Sequence, residues 1–190
     1  MMLKPLIATA ALLALTAAAP ASAEILGPDA AACLPGADRS AVLLTVDGFR
    51  NRDGTVRVEL WPGTEGDFLR NHHELVAEGK AYHRVTVPVP ASGPARICVP
   101  LPGPGTYALG AFHSPAGVRK FNFRQDGATF TRNPRVGLSK PRAADVAVTY
   151  TEGLNKDFVT LNYLRGLAFR PIPRQNLETA EDGRGKNAHR

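Results

Sequence analysis

The sequence predicts an all-β fold, an antiparallel β-sandwich of about seven strands. Three observations predict it. Short segments of alternating apolar and polar residues recur between residues 41 and 164, Pro- and Gly-rich turn signals bound them, and amphipathic helical periodicity is confined to 66–78. Many short strands, each with one apolar face, bury those faces by packing as two sheets.

The first element is expected to be removed. Lys4, the apolar run from Leu6 to Ala19 and then Pro20-Ala21-Ser22-Ala23 have the layout of a secretory signal peptide cleaved after Ala23. The run is shorter than the roughly 20 residues that span a bilayer, and no charged stop-transfer cluster follows it. Residues 1–23 are therefore read as a leader and not as an anchor. No later apolar stretch approaches spanning length, so the mature chain is expected to be soluble and either periplasmic or secreted.

Residues 24–40 are small, polar and marked by Pro and Gly, without either period, and predict an irregular lead. The chain has two cysteines, Cys33 in that lead and Cys98 far downstream. Export to an oxidising compartment favours their pairing as a disulfide. The bridge would remove roughly 4 kcal/mol of unfolded-chain entropy and tie the lead onto the sandwich. A reactive thiol or a metal ligand is the competing reading, but there is no CxxC and no His at ligand spacing.

The sandwich domain is expected over 41–169. In Thr55-Val56-Arg57-Val58-Glu59-Leu60-Trp61, Val56, Val58 and Leu60 alternate with Arg57 and Glu59, so the two sets face opposite sides of a half-buried strand. The other candidate strands are 42–49, 82–89, 95–99, 106–112, 145–151 and 157–164. Asn51-Arg52-Asp53-Gly54, Ser92-Gly93-Pro94 and Pro102-Gly103-Pro104-Gly105 are the turn signals between them. From Pro115 to Pro141 the rhythm breaks into a long segment dense in Arg, Lys, Asn, Gly and Phe, and a loop of that length has its own packing or a function. Residues 170–190 have almost no large apolar side chains and predict a disordered basic tail.

Charge is unevenly placed. The chain carries 23 Lys and Arg against 17 Asp and Glu, a formal net charge of +6. Between Arg119 and Arg142 there are seven basic residues and one acid, Asp126, and the tail from Arg170 holds five against three. The sandwich body is left slightly acidic, and the basic segments favour anionic partners at low salt.

The run Val42-Leu43-Leu44-Thr45-Val46-Asp47-Gly48-Phe49-Arg50-Asn51, then Gly54 to Trp61 and Gly66-Asp67-Phe68-Leu69, resembles the opening of a bacterial exported family known as domain of unknown function 2141. Val99-Pro100-Leu101, Pro104 to His113 and Ala144-Asp145-Val146-Ala147-Val148 resemble its later segments, so the resemblance covers about 41–164. It implies an immunoglobulin-like or transthyretin-like β-sandwich and no established activity. The family pattern continues after Phe-His with Asp, Asn and Gly and ends in Lys-x-Asp. Here Ser114-Pro115-Ala116-Gly117-Val118-Arg119-Lys120-Phe121-Asn122 replaces it. A hard cation such as Ca²⁺ needs six to eight oxygen ligands, so if relatives hold an ion there, this chain is not expected to.

Three constellations bear on chemistry. His72, His73, His83 and His113 could offer imidazole to a transition metal, but none has a recognised ligand spacing, and adjacent histidines on a strand would diverge. No metal or cofactor is expected. His113, at the family-like position, is the residue on which an extracytoplasmic metal site or enzyme would be centred. Ser114 beside it lacks a nucleophile elbow, and Glu59, Asp67, Glu74 and Glu78 read as solvated positions, so catalysis is not expected either. Finally, Phe121, Phe123 and Phe130 interleave with Arg119, Lys120, Arg124, Arg132 and Arg135. Such a mixture suits anions backed by aromatic rings. An exported protein points to lipid headgroups, acidic glycans or an acidic protein face rather than to nucleic acid. The competing structural reading has the phenylalanines anchoring the loop while the charges are solvated. The chain is accordingly expected to be a monomeric or weakly associating, non-catalytic envelope binding or accessory module.

Overall fold

Alternating residues pair into strands throughout the computed structural model, which describes residues 24–117, 120–137 and 139–173. Among these residues the strands are β1 (Ile25–Leu26), β2 (Ala41–Asp47), β3 (Thr55–Pro62), β4 (His83–Pro88), β5 (Ala95–Pro100), β6 (Gly105–Ser114), β7 (Gly127–Phe130), β8 (Val148–Tyr150), β9 (Leu154–Thr160), β10 (Asn162–Arg165) and β11 (Ala168–Pro171). Two short helices, α1 (His72–Ala77) and α2 (Ala143–Val146), and a 3-10 turn at Ala30–Cys33 complete the described elements.

The strands form two sheets in a sandwich-like arrangement. The larger runs β11-β10-β7-β6-β3-β4, with β8 added alongside the start of β6, and its seven strands are antiparallel. The smaller runs β1-β5-β2-β9. Val56, Val58 and Leu60 of β3 meet Val42, Leu44 and Val46 of β2 and Ile97 and Val99 of β5 in one buried core. The opposite side of β3 carries Arg57, Glu59 and Trp61, as the alternation requires.

The expected seven-strand, wholly antiparallel sandwich is corrected in two respects. The smaller sheet is mixed, because β9 runs parallel to β2 and β1 parallel to β5. The described strands also number eleven. β1, β7 and β11 are only two to four residues long and carry no sustained alternation, which is why the lead, the long loop and the tail hid them. The candidate at 157–164 is two strands. Leu161, fully buried, turns the chain from one sheet to the other, donating its N–H to the Asp47 carbonyl at 2.9 Å. The candidate at 145–151 begins in helix α2, leaving only β8 extended.

Cys33 and Cys98 form a disulfide, as expected, across a sequence separation of 65 residues. With Ala32, Ala41 and Leu43 they make a second apolar cluster on the outer side of the smaller sheet. The lead is thereby fastened over that face. Such a bridge fits an extracytoplasmic protein. Among the described residues no helix is long and apolar enough to cross a membrane. The proposed leader, 1–23, and the tail from 174 lie outside the described residues, whereas Arg170 and Pro171 belong to β11 and Ile172 packs against the core.

Candidate functional site

Strand β6 separates the two residues that a catalytic reading would join. His113 points into the core and Ser114 points to the outer face, because successive strand residues alternate. His113 is fully buried, edge-on to Phe49 at 5.3 Å between ring centres. Its Nε2 lies 2.9 Å from the Asp53 carbonyl, which can only accept, so Nε2 carries the proton. Nδ1 then accepts from the Tyr163 hydroxyl at 2.6 Å, and that hydroxyl accepts the Arg50 N–H at 3.1 Å. Burial holds the His113 pKa below its ordinary value. Both ring nitrogens are occupied in joining the 48–54 loop to β10, and no lone pair is left for a metal or for a proton transfer. The other histidines lie elsewhere: His72 and His73 stack on α1, and His83 sits 3.3 Å from Asp29. Among the described residues no three His, Cys, Asp or Glu side chains gather as metal ligands would.

The outer face of the larger sheet carries a built groove. Register places Thr86, Arg57 and Phe112 in one row across β4, β3 and β6, with Arg84, Glu59 and Gly110 in the next. Glu59 is only 6% exposed, and the guanidinium nitrogens Nε of Arg57 and Arg84 lie 2.8 and 3.0 Å from its Oε1. Its expected role as a solvated strand residue is thus overturned: the two arginines cover it. Arg57 also lies over the Phe112 ring, 5.2 Å from its centre. With Ser114, Phe121 and Asp126 these residues line a cavity of about 680 Å³. A neighbouring hollow of about 470 Å³ shares Glu59, Arg84 and Phe112 and reaches Trp61, Tyr82 and His72. Desolvation, followed by the Glu59 charge, pushes the Tyr82 phenol up to about 12.

The loop that walls this groove is fastened by its one acid. Asp126, 3% exposed, accepts from Ser114 Oγ at 3.3 Å and from the Asn122 N–H at 2.8 Å. Asn122 in turn accepts the Arg124 N–H on its side chain, forming an Asx turn. The three phenylalanines divide. Phe130 is buried against Phe68 and Phe112, Phe121 sits at the groove edge beside Phe112, and Phe123 is 51% exposed with Arg124 over its ring.

The basic residues singled out from the sequence fall on either side of β7. Lys120 and Arg124 stand on the fastened loop; Arg132 and Arg135 follow the strand, and all four are exposed. Arg132 donates to the Ala144 carbonyl, while Arg142 is paired with Asp145. Arg119 lies outside the described residues. The other acids read as solvated positions, Asp67, Glu74 and Glu78, converge on Arg70, with Lys80 bridging Asp67 and Glu78.

The groove residues Arg84, Thr86 and Phe112 escaped the sequence reading. Outward-facing strand positions look solvated in a one-dimensional pattern, and only the pairing of β4, β3 and β6 assembles them. The one available signal was Glu59 flanked by Arg57 on a strand whose other face is wholly apolar.

A family model for an uncharacterised protein conserved in bacteria, DUF2141, matches residues 44–157, and the chain belongs to that family. No curated protein and no solved structure matches the chain.

Proposed function

We propose, for this member of an uncharacterised bacterial family, a role as an exported, non-catalytic envelope module that contacts an anionic component through its basic segment. The leader, cut after Ala23, would deliver it to the periplasm or beyond, and the Cys33–Cys98 bridge is in keeping with that compartment. The sandwich is read as immunoglobulin-like or transthyretin-like, a rigid frame from which the loops project.

One observation carries the reading. Lys120, Arg124, Arg132 and Arg135 are exposed and form no ion pair among the described residues, whereas Arg57, Arg70, Lys80, Arg84 and Arg142 are each held by a carboxylate. Exposed cations before and after β7 attract phosphate, carboxylate or sulfate groups, with screening over about 8 Å at physiological salt. Phe123, exposed beneath Arg124, adds a ring that can enter the boundary of such a surface.

The test is retention of the purified protein on phosphatidylglycerol vesicles and on immobilised polygalacturonate. Replacing Arg119, Lys120, Arg124, Arg132 and Arg135 by Ser reduces salt-sensitive retention on at least one of them. Retention that is unchanged on both rejects the proposal.

A further inference from the structure

The groove on the outer face of the larger sheet differs in chemistry from the basic segment. It is lined by two cations, Arg57 and Arg84, and two anions, Glu59 and Asp126, so its own charges cancel. Both arginines are committed to Glu59, and Asp126 to Ser114 and Asn122. The lining as a whole therefore carries no net charge that would select a free anion or a free cation. Donors and acceptors are nevertheless dense: guanidinium N–H groups, carboxylate oxygens, and the hydroxyls of Thr55, Thr86 and Ser114. The rings of Phe112 and Phe121, 6.1 Å apart, supply apolar faces among them.

Beside the groove lies an unmet demand. Trp61 is 3% exposed and lines the adjoining hollow, yet its indole Nε1, which can only donate, has no hydrogen-bond partner among the described residues. A buried donor left unpaired is costly, and an acceptor supplied by a ligand would relieve it. The main cavity falls within the roughly 300–1,000 Å³ common for small-molecule sites.

We infer that this groove is a binding site for a neutral oligosaccharide, whose hydroxyls meet the Arg57, Arg84, Glu59 and Ser114 groups and whose C–H faces pack on Phe112 and Phe121. A polyhydroxylated chain both donates and accepts at each ring, brings no net charge, and alternates polar edges with apolar faces, as the lining does. A hydroxyl or ring oxygen that extends into the adjoining hollow supplies the acceptor that Trp61 Nε1 lacks.

The molecule carries its own reporter, since Trp61 is the single tryptophan of the chain. The experiment is a titration of intrinsic fluorescence with three neutral tetrasaccharides: β-1,4-linked glucose, α-1,4-linked glucose and β-1,4-linked N-acetylglucosamine. At least one produces a saturable change in Trp61 emission. That binding persists at about 0.5 M salt, where an ionic contact of exposed groups is screened away, so it succeeds or fails independently of the basic segment. Phe121→Ala, at the groove edge, weakens it roughly fivefold. Arg84→Gln, which spares the core, weakens it as well. No saturable change with any of the three sugars overturns the inference, as does a response of equal affinity in both variants.

Discussion

The Tyr163 hydroxyl, 2.6 Å from His113 Nδ1, closes a chain of hydrogen bonds from Arg50 N–H through tyrosine and imidazole to the Asp53 carbonyl. The most conspicuous histidine of the sequence is thus a buried clamp between β6, β10 and the 48–54 loop. Tyr163→Phe removes the central hydroxyl and leaves Nδ1 and the Arg50 N–H without it. A buried group so orphaned costs about 1–3 kcal/mol. Urea unfolding of this variant is expected to show a loss in that range with an unchanged slope; equal midpoints would refute the clamp.

The same histidine makes stability depend on pH. Burial depresses its folded-state pKa below the ordinary 6.5, so the unfolded chain takes up a proton that the native state resists. Stability is fully present above pH 6.5 and declines as pH falls from there toward the depressed value. His72, lowered in the same direction by desolvation and by His73, contributes to the same decline. Melting temperatures from pH 7.5 downward should fall less steeply in His113→Gln than in the wild type, and parallel curves would contradict this assignment.

Reduction of the Cys33–Cys98 bridge releases the lead from the smaller sheet. The loop-closure contribution of about 4 kcal/mol corresponds to a drop of roughly 10 °C in Tm for a chain of this size. Calorimetry with and without reductant measures it. Mass spectrometry of the untreated protein should find no free thiol.

Gly127 lies where β7 passes Tyr163. A Cβ there would stand 2.5 Å from the Tyr163 ring carbon Cζ, inside any real contact distance, and the ring is locked by its hydrogen bonds. Gly127→Ala is expected to destabilise the fold by about 1–3 kcal/mol through overpacking. Unaltered stability in denaturant would show that the strand can move aside.

Around α1, Arg70 and Lys80 hold the Glu78 carboxylate at a pKa of about 2. Titration followed by carboxyl carbon NMR should place its midpoint there, and Arg70→Ala should raise it toward the ordinary carboxylate range. Because the group is exposed, the effect is expected to fade with salt.

The sequence made the core of the fold legible, and the reason is physical. Strands such as β3 and β6 turn one face to the shared core, so Val56, Val58 and Leu60 or Leu109 and Ala111 repeat every second residue. The short strands were hidden because their positions depend on partners: β7 has four buried residues in a row, which no period distinguishes from a loop. The parallel pairing of β9 with β2 was hidden too, since alternation fixes which face is buried but not the direction of the neighbour. Of the site, the basic positions could be named in advance from their density. The groove could not, because Arg84, Glu59 and Phe112 are brought together only by register.

The most direct test of the envelope role is residue-resolved NMR of the protein titrated with phosphatidylglycerol nanodiscs and, separately, with polygalacturonate fragments. With at least one of them, amide signals around Lys120, Arg124, Arg132 and Arg135 should shift or broaden, and salt should reverse the change. Perturbations centred on the smaller sheet, or none with either probe, would contradict the account.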